Sequence, residues 1–333
     1  LFRSRLVARQ VAAHAGREAA ARAARVNVPS GGQAVLPEPP RGQPAGPAQV
    51  HEQLVGDGPG ERAGLQRAPG RGRLGAHATQ AFTRAPGGAS AAVIDALARA
   101  LGEAGTVTVL TGSGLSADSG VPTFRDAQSG LWASYRPEDL ATPEAFERDP
   151  DTVWQWYAMR RRQLRAVEPS AGHRALAELA GRLDDLRLVT QNVDGLHQRA
   201  GHADVVEFHG NLLADVCHAG CGPVEGVDPD AETAPSCPRC GARVRPGVVW
   251  FGEAIPRAAL ERATAAAGAC DLFLAVGTSA VVHPAAGLAD MAREAGARVA
   301  EINPGETVLS ARVDIRIAAP AAEALPRVAE RLG

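Results

Sequence analysis

From residue 106 to the carboxyl end, short apolar runs alternate with helical stretches, and that alternation limits the possible folds more than any other feature. The runs are "TVTVLTGSG" (106–114), "LRLVTQN" (186–192), "CDLFLAVGTS" (270–279), "ARVAEIN" (297–303) and "VDIRI" (313–317). Apolar residues continue through them instead of alternating, as in strands buried on both faces. Helical spacing fills the gaps at 92–104, 151–167, 172–183, 256–269, 284–296 and 321–332. The pattern predicts an α/β fold with a parallel sheet and helices on both faces. In such sheets ligands sit beyond the carboxyl ends of the strands, where "GSG", "TQNVDG", "GTS" and "INP" fall.

Composition changes sharply near residue 90. Residues 1–90 hold 12 Arg against 5 acids, with Phe2 and Phe82 their only Phe, Tyr or Trp. Their Pro- and Gly-rich stretches cannot bury enough apolar surface to offset chain entropy, so a disordered Arg/Gly/Pro/Ala-rich tail is expected. Every basic residue is Arg, the chain starts at Leu1 and the first Met is Met159. The tail is therefore also read as upstream sequence from a misplaced start, and a bacterial-type, cytoplasmic protein is favoured. The Arg-rich opening is the basis of the less favoured mitochondrial reading. Residues 91–333 carry 23 Arg against 32 acids and form the expected single catalytic domain. An acidic domain argues against nucleic acid as partner, and the absence of an 18-residue apolar run argues against a membrane span. A monomer is expected.

Three segments carry chemistry. "TGSGLSADSGVPTFRD" (111–126) follows the first strand. Gly112 and Gly114 would let backbone amides approach a phosphate, and a helix starting near Leu115 would point its positive end there. The same glycines would also suit a simple tight turn. Cys217 and Cys221, then Cys237 and Cys240 in "CPRCG", have the spacing of two metal knuckles, and four thiolates suit a closed structural zinc site. His218 is a possible substitute ligand. Cys270 is read as core. His209 ends a short strand in "VVEFHGNLL", near Gln191, Asn192 and Asp194. Two amides and a carboxylate near one His could orient a ribose and deprotonate its hydroxyl. His173, His197, His202 and His283 compete for that role; His197 is read as a turn residue and His173 as capping or packing its helix.

Tyr157 and Arg160 pose a separate question. Three residues apart on a helix, they share a face and could hold a carboxylate between a hydroxyl and a guanidinium fork. The alternative is a solvated Arg-rich face, since Arg161, Arg162 and Arg165 follow. Arg161 and Arg162 are expected at the surface.

Taken together, "GSGLSADSGVPTFRD", "TQNVDGLH", "FHGN", the Cys quartet, "VVWFGE" (248–253), "GTSAVVHPAA" (277–286) and "INPGET" (302–307) resemble, in order, the sirtuins. Sirtuins are NAD-dependent protein-lysine deacylases. The resemblance spans residues 92–332. It implies a Rossmann-like domain, a smaller zinc-bearing lobe with its insert at 212–247, NAD between the two, and an acyl-lysine protein or peptide in the cleft. NAD would contact Gly112, Ser113, Gly114, Leu115, Ser116, Pro122, Thr123, Phe124, Arg125 and Trp132. Gln191, Asn192 and Asp194 would hold the nicotinamide half, and Gly277, Thr278, Ser279, Asn303 and Ala321 the adenosine half. His209 would be the general base, giving free lysine and O-acyl-ADP-ribose. "VVWFGE" would be a strand pairing with substrate through Val249, Phe251 and Gly252. Tyr157 and Arg160 stand where the class III subgroup, resembling desuccinylases and demalonylases, carries its Tyr-x-x-Arg pair. Ser113 stands where the family usually has Ala, and Ala319 where it often has Gly. Mono-ADP-ribosyl transfer and a non-catalytic NAD or ADP-ribose sensor are the alternative functions.

Overall fold

The computed structural model describes residues 89–121 and 137–332. The expectations for the amino-terminal tail, and for Pro122, Thr123, Phe124, Arg125 and Trp132, lie outside the described residues. Six parallel strands form the central sheet: β1 (Val107–Thr111), β2 (Leu186–Thr190), β3 (Val205–Glu207), β6 (Leu272–Val276), β7 (Arg298–Ile302) and β8 (Ile315–Ile317). Their order is β3-β2-β1-β6-β7-β8, so β1 pairs in parallel with both β2 and β6. A separate antiparallel pair joins β4 (Gly210–Cys217) to β5 (Val244–Val248). Among the described residues no helix is long and apolar enough to cross a membrane.

The uninterrupted apolar runs follow from two covered faces. Every residue of β1 and of β6 is buried. Val107, Val109, Leu272, Leu274 and Val276 feed one core with Leu97, Leu101, Leu176, Leu325 and Val328. These partners come from α1 (Ala91–Glu103), α6 (Ala171–Arg182) and α10 (Ala321–Leu332). Leu110, Phe273 and Ala275 point the other way, onto Ala263, Ala267, Leu288 and Ala292 of α8 (Arg257–Gly268) and α9 (Gly287–Glu294). Alternate side chains thus leave the sheet on opposite sides and meet apolar partners on both.

A third core belongs to the smaller lobe. It contains Phe146, Trp154, Trp156, Tyr157, Leu212 and Trp250, together with Cys217 and Cys237. The lobe is thus wider than the 212–247 segment, because α3 (Pro137–Leu140), α4 (Pro143–Arg148) and α5 (Pro150–Arg165) supply much of this core. Both α4 and α5 open with Pro at N1 behind a side-chain cap: Thr142 Oγ1 accepts from Ala145 N at 3.2 Å, and Asp149 Oδ1 from Thr152 N at 3.1 Å.

Three expectations change here. Arg161 is buried, only 1% exposed, whereas Arg162 is exposed and paired with Asp230 at 3.0 Å. The cause is the irregularity in β4, where the register shifts between Asn211 and Asp215 and leaves carbonyls facing the helix. Arg161 Nε donates to Leu212 O at 2.7 Å, and Nη2 to Ala214 O at 3.3 Å and Asp215 Oδ1 at 2.7 Å. Its guanidinium also lies 4.9 Å from the Trp154 ring centroid. "VVWFGE" is not a continuous strand: β5 ends at Val248, and a turn follows in which Glu253 N donates to Trp250 O at 3.0 Å and Gly252 takes φ 85°. His197 lies in a short helix, α7 (Leu196–Arg199), and is buried.

Replacing Arg161 with Met should destabilise the protein by about 3 kcal/mol or more, because it strands two carbonyls and the Asp215 carboxylate in a buried setting. Urea unfolding of Arg161→Met beside Arg162→Met checks this; the exposed neighbour should lose less than about 1 kcal/mol.

Candidate active site

The sheet order reverses direction between β1 and β6, so the loops leaving these two strands flank the crevice expected of an open α/β sheet. The loops touch backbone to backbone. A Cβ on Gly112 would stand 2.8 Å from Gly277 O, one on Gly114 would stand 2.9 Å from Gly277 Cα, and one on Gly277 would stand 2.5 Å from Leu115 N. Gly277 also holds φ 60°, which favours glycine. The amides of Gly112, Gly114, Leu115 and Ser116 donate to Val276 O, Gly277 O, Gly112 O and Ser113 O. Phosphate approach is therefore not needed to explain Gly112 and Gly114: close packing on Gly277 already requires them. Leu115 faces the core, while Ser113 stands exposed as the N-cap of α2 (Gly114–Ala117).

Side chains from β2, β6 and β7 lock onto this turn. Asn192 Nδ2 donates to Gly112 O at 3.1 Å and to Ser116 Oγ at 3.0 Å. Ser116 Oγ passes its hydrogen to Asp194 Oδ2 at 2.7 Å, and Leu196 N donates to Asp194 Oδ1 at 3.0 Å. Burial pushes the Asp194 carboxyl above its ordinary range, although these donors pull it back. Gln191 Nε2 donates to Thr278 Oγ1 at 2.8 Å, and Asn303 Nδ2 to Thr278 O at 2.9 Å. Gln191, Asn192, Asp194, Thr278 and Asn303 thus form one polar row at the strand ends. The amide oxygens of Gln191 and Asn192 accept nothing among the described residues, so this face offers acceptors to a carboxamide or sugar hydroxyl. Ser279 is exposed beside the row, and Ala321 is buried against Gly172 at the start of α10.

His209 sits between β3 and β4 at the edge of this row. Its Nδ1 lies 3.0 Å from Gln191 O. A carbonyl only accepts, so Nδ1 carries the hydrogen and Nε2 keeps the lone pair. Burial lowers the His209 pKa, favouring the neutral ring. The competing histidines are occupied elsewhere. His173 closes a capping box with Ser170, and His197 Nε2 lies 2.9 Å from Thr111 Oγ1. The His173–His197 and His197–His202 ring centroids are 4.9 Å and 5.4 Å apart, giving a buried edge-to-face row of three rings. His283 is exposed.

The turn after β5 borders His209 directly, since Val249 N donates to His209 O at 2.8 Å. Phe251 N donates to Ala141 O at 2.9 Å, and Phe251 is 49% exposed. Across from this turn, Tyr157 is buried and Arg160 half-buried on one face of α5. The Arg160 guanidinium lies 5.0 Å from the Trp156 ring centroid. Burial raises the Tyr157 phenol to about 12 against the opposing pull of Arg160, and lowers the Arg160 pKa. Sequence reasoning singled out this pair but missed Trp250, which bonds the Tyr157 hydroxyl, and Arg245 and Glu253, which hold Trp250. Trp250 and Glu253 lay inside the quoted "VVWFGE"; Arg245 had no local signal.

The four thiols of Cys217, Cys221, Cys237 and Cys240 lie within 4.8 Å of one another, and none is in a disulfide. Tetrahedral zinc with Zn–S bonds of about 2.3 Å sets sulfurs roughly 3.8 Å apart, so the donor set fits. Amides aim at the sulfurs: the Arg239 amide chiefly draws the Cys237 thiol down to about 6, and the Cys221 amide lowers Cys217. Cys221 is pushed up to about 12, first by its hydrogen bond with Cys240. Such crowding opposes ionisation of all four without a cation among them. His218 is not part of the cluster; its ring packs 5.0 Å from Phe146.

A family model described as "Sir2 family" matches residues 112–284. A protein of Ralstonia nicotianae described as an NAD-dependent protein deacylase is 51% identical over 72% of this chain and 98% of its own length. One of Thermus thermophilus, described likewise, is 48% identical over 68% of this chain and 89% of its own. Among solved structures, a Sir2 homologue–NAD complex is 41% identical at TM-score 0.66, covering 72% of this chain and 93% of the other. A Sir2 protein bound to acetylated peptide is 28% identical at TM-score 0.64, covering 72% and 99%.

The purified chain should hold one zinc, measured by metal analysis. Cys237→Ser should lower the metal content and the melting temperature together, because metal binding in such knuckles is coupled to folding. Full occupancy and unchanged melting in that variant would contradict the four-thiol assignment.

Proposed function

Because the chain belongs to the Sir2 family, we infer that it is an NAD-dependent protein-lysine deacylase, and we propose that it favours acyl groups ending in a carboxylate, succinyl and malonyl above acetyl. Bound NAD supplies the ribose carbon that nicotinamide leaves and the sugar hydroxyl that finally carries the acyl group. The polar row of Gln191, Asn192 and Asp194 supports binding of the nicotinamide half, and Thr278, Ser279 and Asn303 the adenosine half. His209 Nε2 takes the proton from the ribose hydroxyl. Gln191 O fixes the tautomer that makes this possible, at 3.0 Å from Nδ1. Val249, Phe251 and Gly252 support the substrate backbone beside His209, on a segment tied to His209 O by the Val249 amide.

The observation that carries the acyl preference is a buried phenol and a half-buried guanidinium on one face of α5, beside the lobe core. A methyl needs neither group, whereas a carboxylate entering an apolar tunnel is costly unless a cation and a donor wait for it.

Two measurements test this reading. His209→Ala should lower kcat by about 10²- to 10⁴-fold. In the native enzyme the acid limb of kcat/KM should lie below pH 6.5, since burial lowers the His209 pKa and the neutral ring persists as pH falls. A limb above neutrality, or near-normal turnover in His209→Ala, would exclude His209 as the base. On one peptide sequence carrying either succinyl- or acetyl-lysine, Arg160→Met should lower the ratio of the two kcat/KM values by about 10²-fold, the equivalent of about 2–3 kcal/mol. Tyr157→Phe should move the ratio the same way by less. Equal losses on both substrates would make the pair structural and remove the acidic-acyl preference.

A further inference from the structure

Trp250 makes one polar contact that packing alone does not require. Its indole Nε1 donates to Tyr157 Oη at 2.9 Å, between two side chains that are 2% and 4% exposed. An indole N–H can only donate, so Tyr157 Oη must accept here and has to direct its own hydrogen elsewhere. Among the described residues that hydrogen meets no acceptor. The phenol is therefore presented as a donor, on the helix face that also carries Arg160.

The indole is itself held on several sides. Arg245 lies face-on, with its guanidinium carbon 3.3 Å from the ring centroid, and its Nε has no polar partner, as stacking on the ring leaves it. Arg245 Nη1 and Nη2 fork onto Glu253 Oε1 and Oε2 at 2.5 Å and 2.8 Å, and Nη2 also donates to Val248 O at 2.7 Å. Glu253 Oε2 accepts the Trp250 amide at 2.8 Å. Phe146 lies against the indole, with ring centroids 5.3 Å apart. A rigid clamp thus fixes one N–H on one phenol oxygen.

We propose that Trp250, clamped by Arg245 and Glu253, is a specificity-determining positioning residue whose indole N–H turns the Tyr157 hydroxyl into an outward donor for an acyl carboxylate. This rests on the acidic-acyl reading above. A tyrosine free of the indole could present its oxygen lone pairs instead, which would repel a carboxylate; acetyl-lysine, ending in a methyl, would register neither state.

The test replaces Trp250 with 3-benzothienylalanine, which exchanges the ring N–H for sulfur and keeps the bicyclic shape, alongside Trp250→Phe. KM for the succinyl-lysine peptide should rise about tenfold with kcat little changed, while kcat/KM for the acetyl-lysine peptide should stay within about twofold. In a Tyr157→Phe background the Trp250 substitutions should bring no further loss of selectivity, because the hydroxyl they orient is gone. Equal losses on both peptides, or an undiminished effect in the Tyr157→Phe background, would overturn the positioning role. Should Trp250→Phe unfold, the benzothienyl variant still decides. Arg160→Met and Tyr157→Phe are measured in parallel. If they shift the acyl ratio and the Trp250 variants do not, the positioning role alone fails; if they too leave it unmoved, the acidic-acyl reading fails and takes this inference with it.

Discussion

The backbone contact between the turn after β1 and the turn after β6 is the constraint on which the site depends. Gly112 and Gly114 lie so close to Gly277 that no side chain fits on any of the three. This brings the ends of two neighbouring strands together where the sheet order reverses. Asn192 reaches Gly112 O, and Thr278, next to Gly277, receives Gln191 and Asn303. A Cβ at any of these glycines would push the strand ends apart, and every polar group in the row would move with them.

The smaller lobe solves a different problem. Beside its aromatic core, polar groups fix its parts to each other. Arg161 ties α5 to the irregular segment of β4, the four thiols suit a zinc between the two knuckles, and the Arg245–Glu253 fork holds the turn that carries Trp250. The Arg161–Asp215 and Arg245–Glu253 pairs are buried or half-buried and multiply bonded, the condition under which a charge inside a protein is tolerated. The same attachments set the distance between α5 and the turn beside His209.

Histidine shows how neighbours decide a role. His173, His197 and His202 are all pushed toward the neutral form by burial, His173 to about 4, yet they cap, bond a threonine or pack on one another. His209 also has its pKa lowered by burial. What separates it is a backbone carbonyl on Nδ1 and a position at the edge of the polar row. A lowered pKa is common to all four, so it does not set His209 apart; the carbonyl on its Nδ1 and its place beside the row do.

The sequence by itself determined the parallel sheet, the cysteine quartet, the order of the polar motifs at strand ends and the shared face of Tyr157 and Arg160. These are local properties, since periodicity and spacing follow from the geometry of a single strand, knuckle or helix. Only the tertiary structure decided which arginine of "RRR" is buried: Arg161 and Arg162 are adjacent and chemically identical, and the choice is made by Leu212 O and Asp215, more than fifty residues away. It likewise brought the Trp250 indole onto the Tyr157 hydroxyl, a pair separated by 93 residues, and made Gly112 and Gly114 necessary against Gly277. In each case the partner is a backbone group or ring brought up by another element, and a chain read one segment at a time carries no record of that distance.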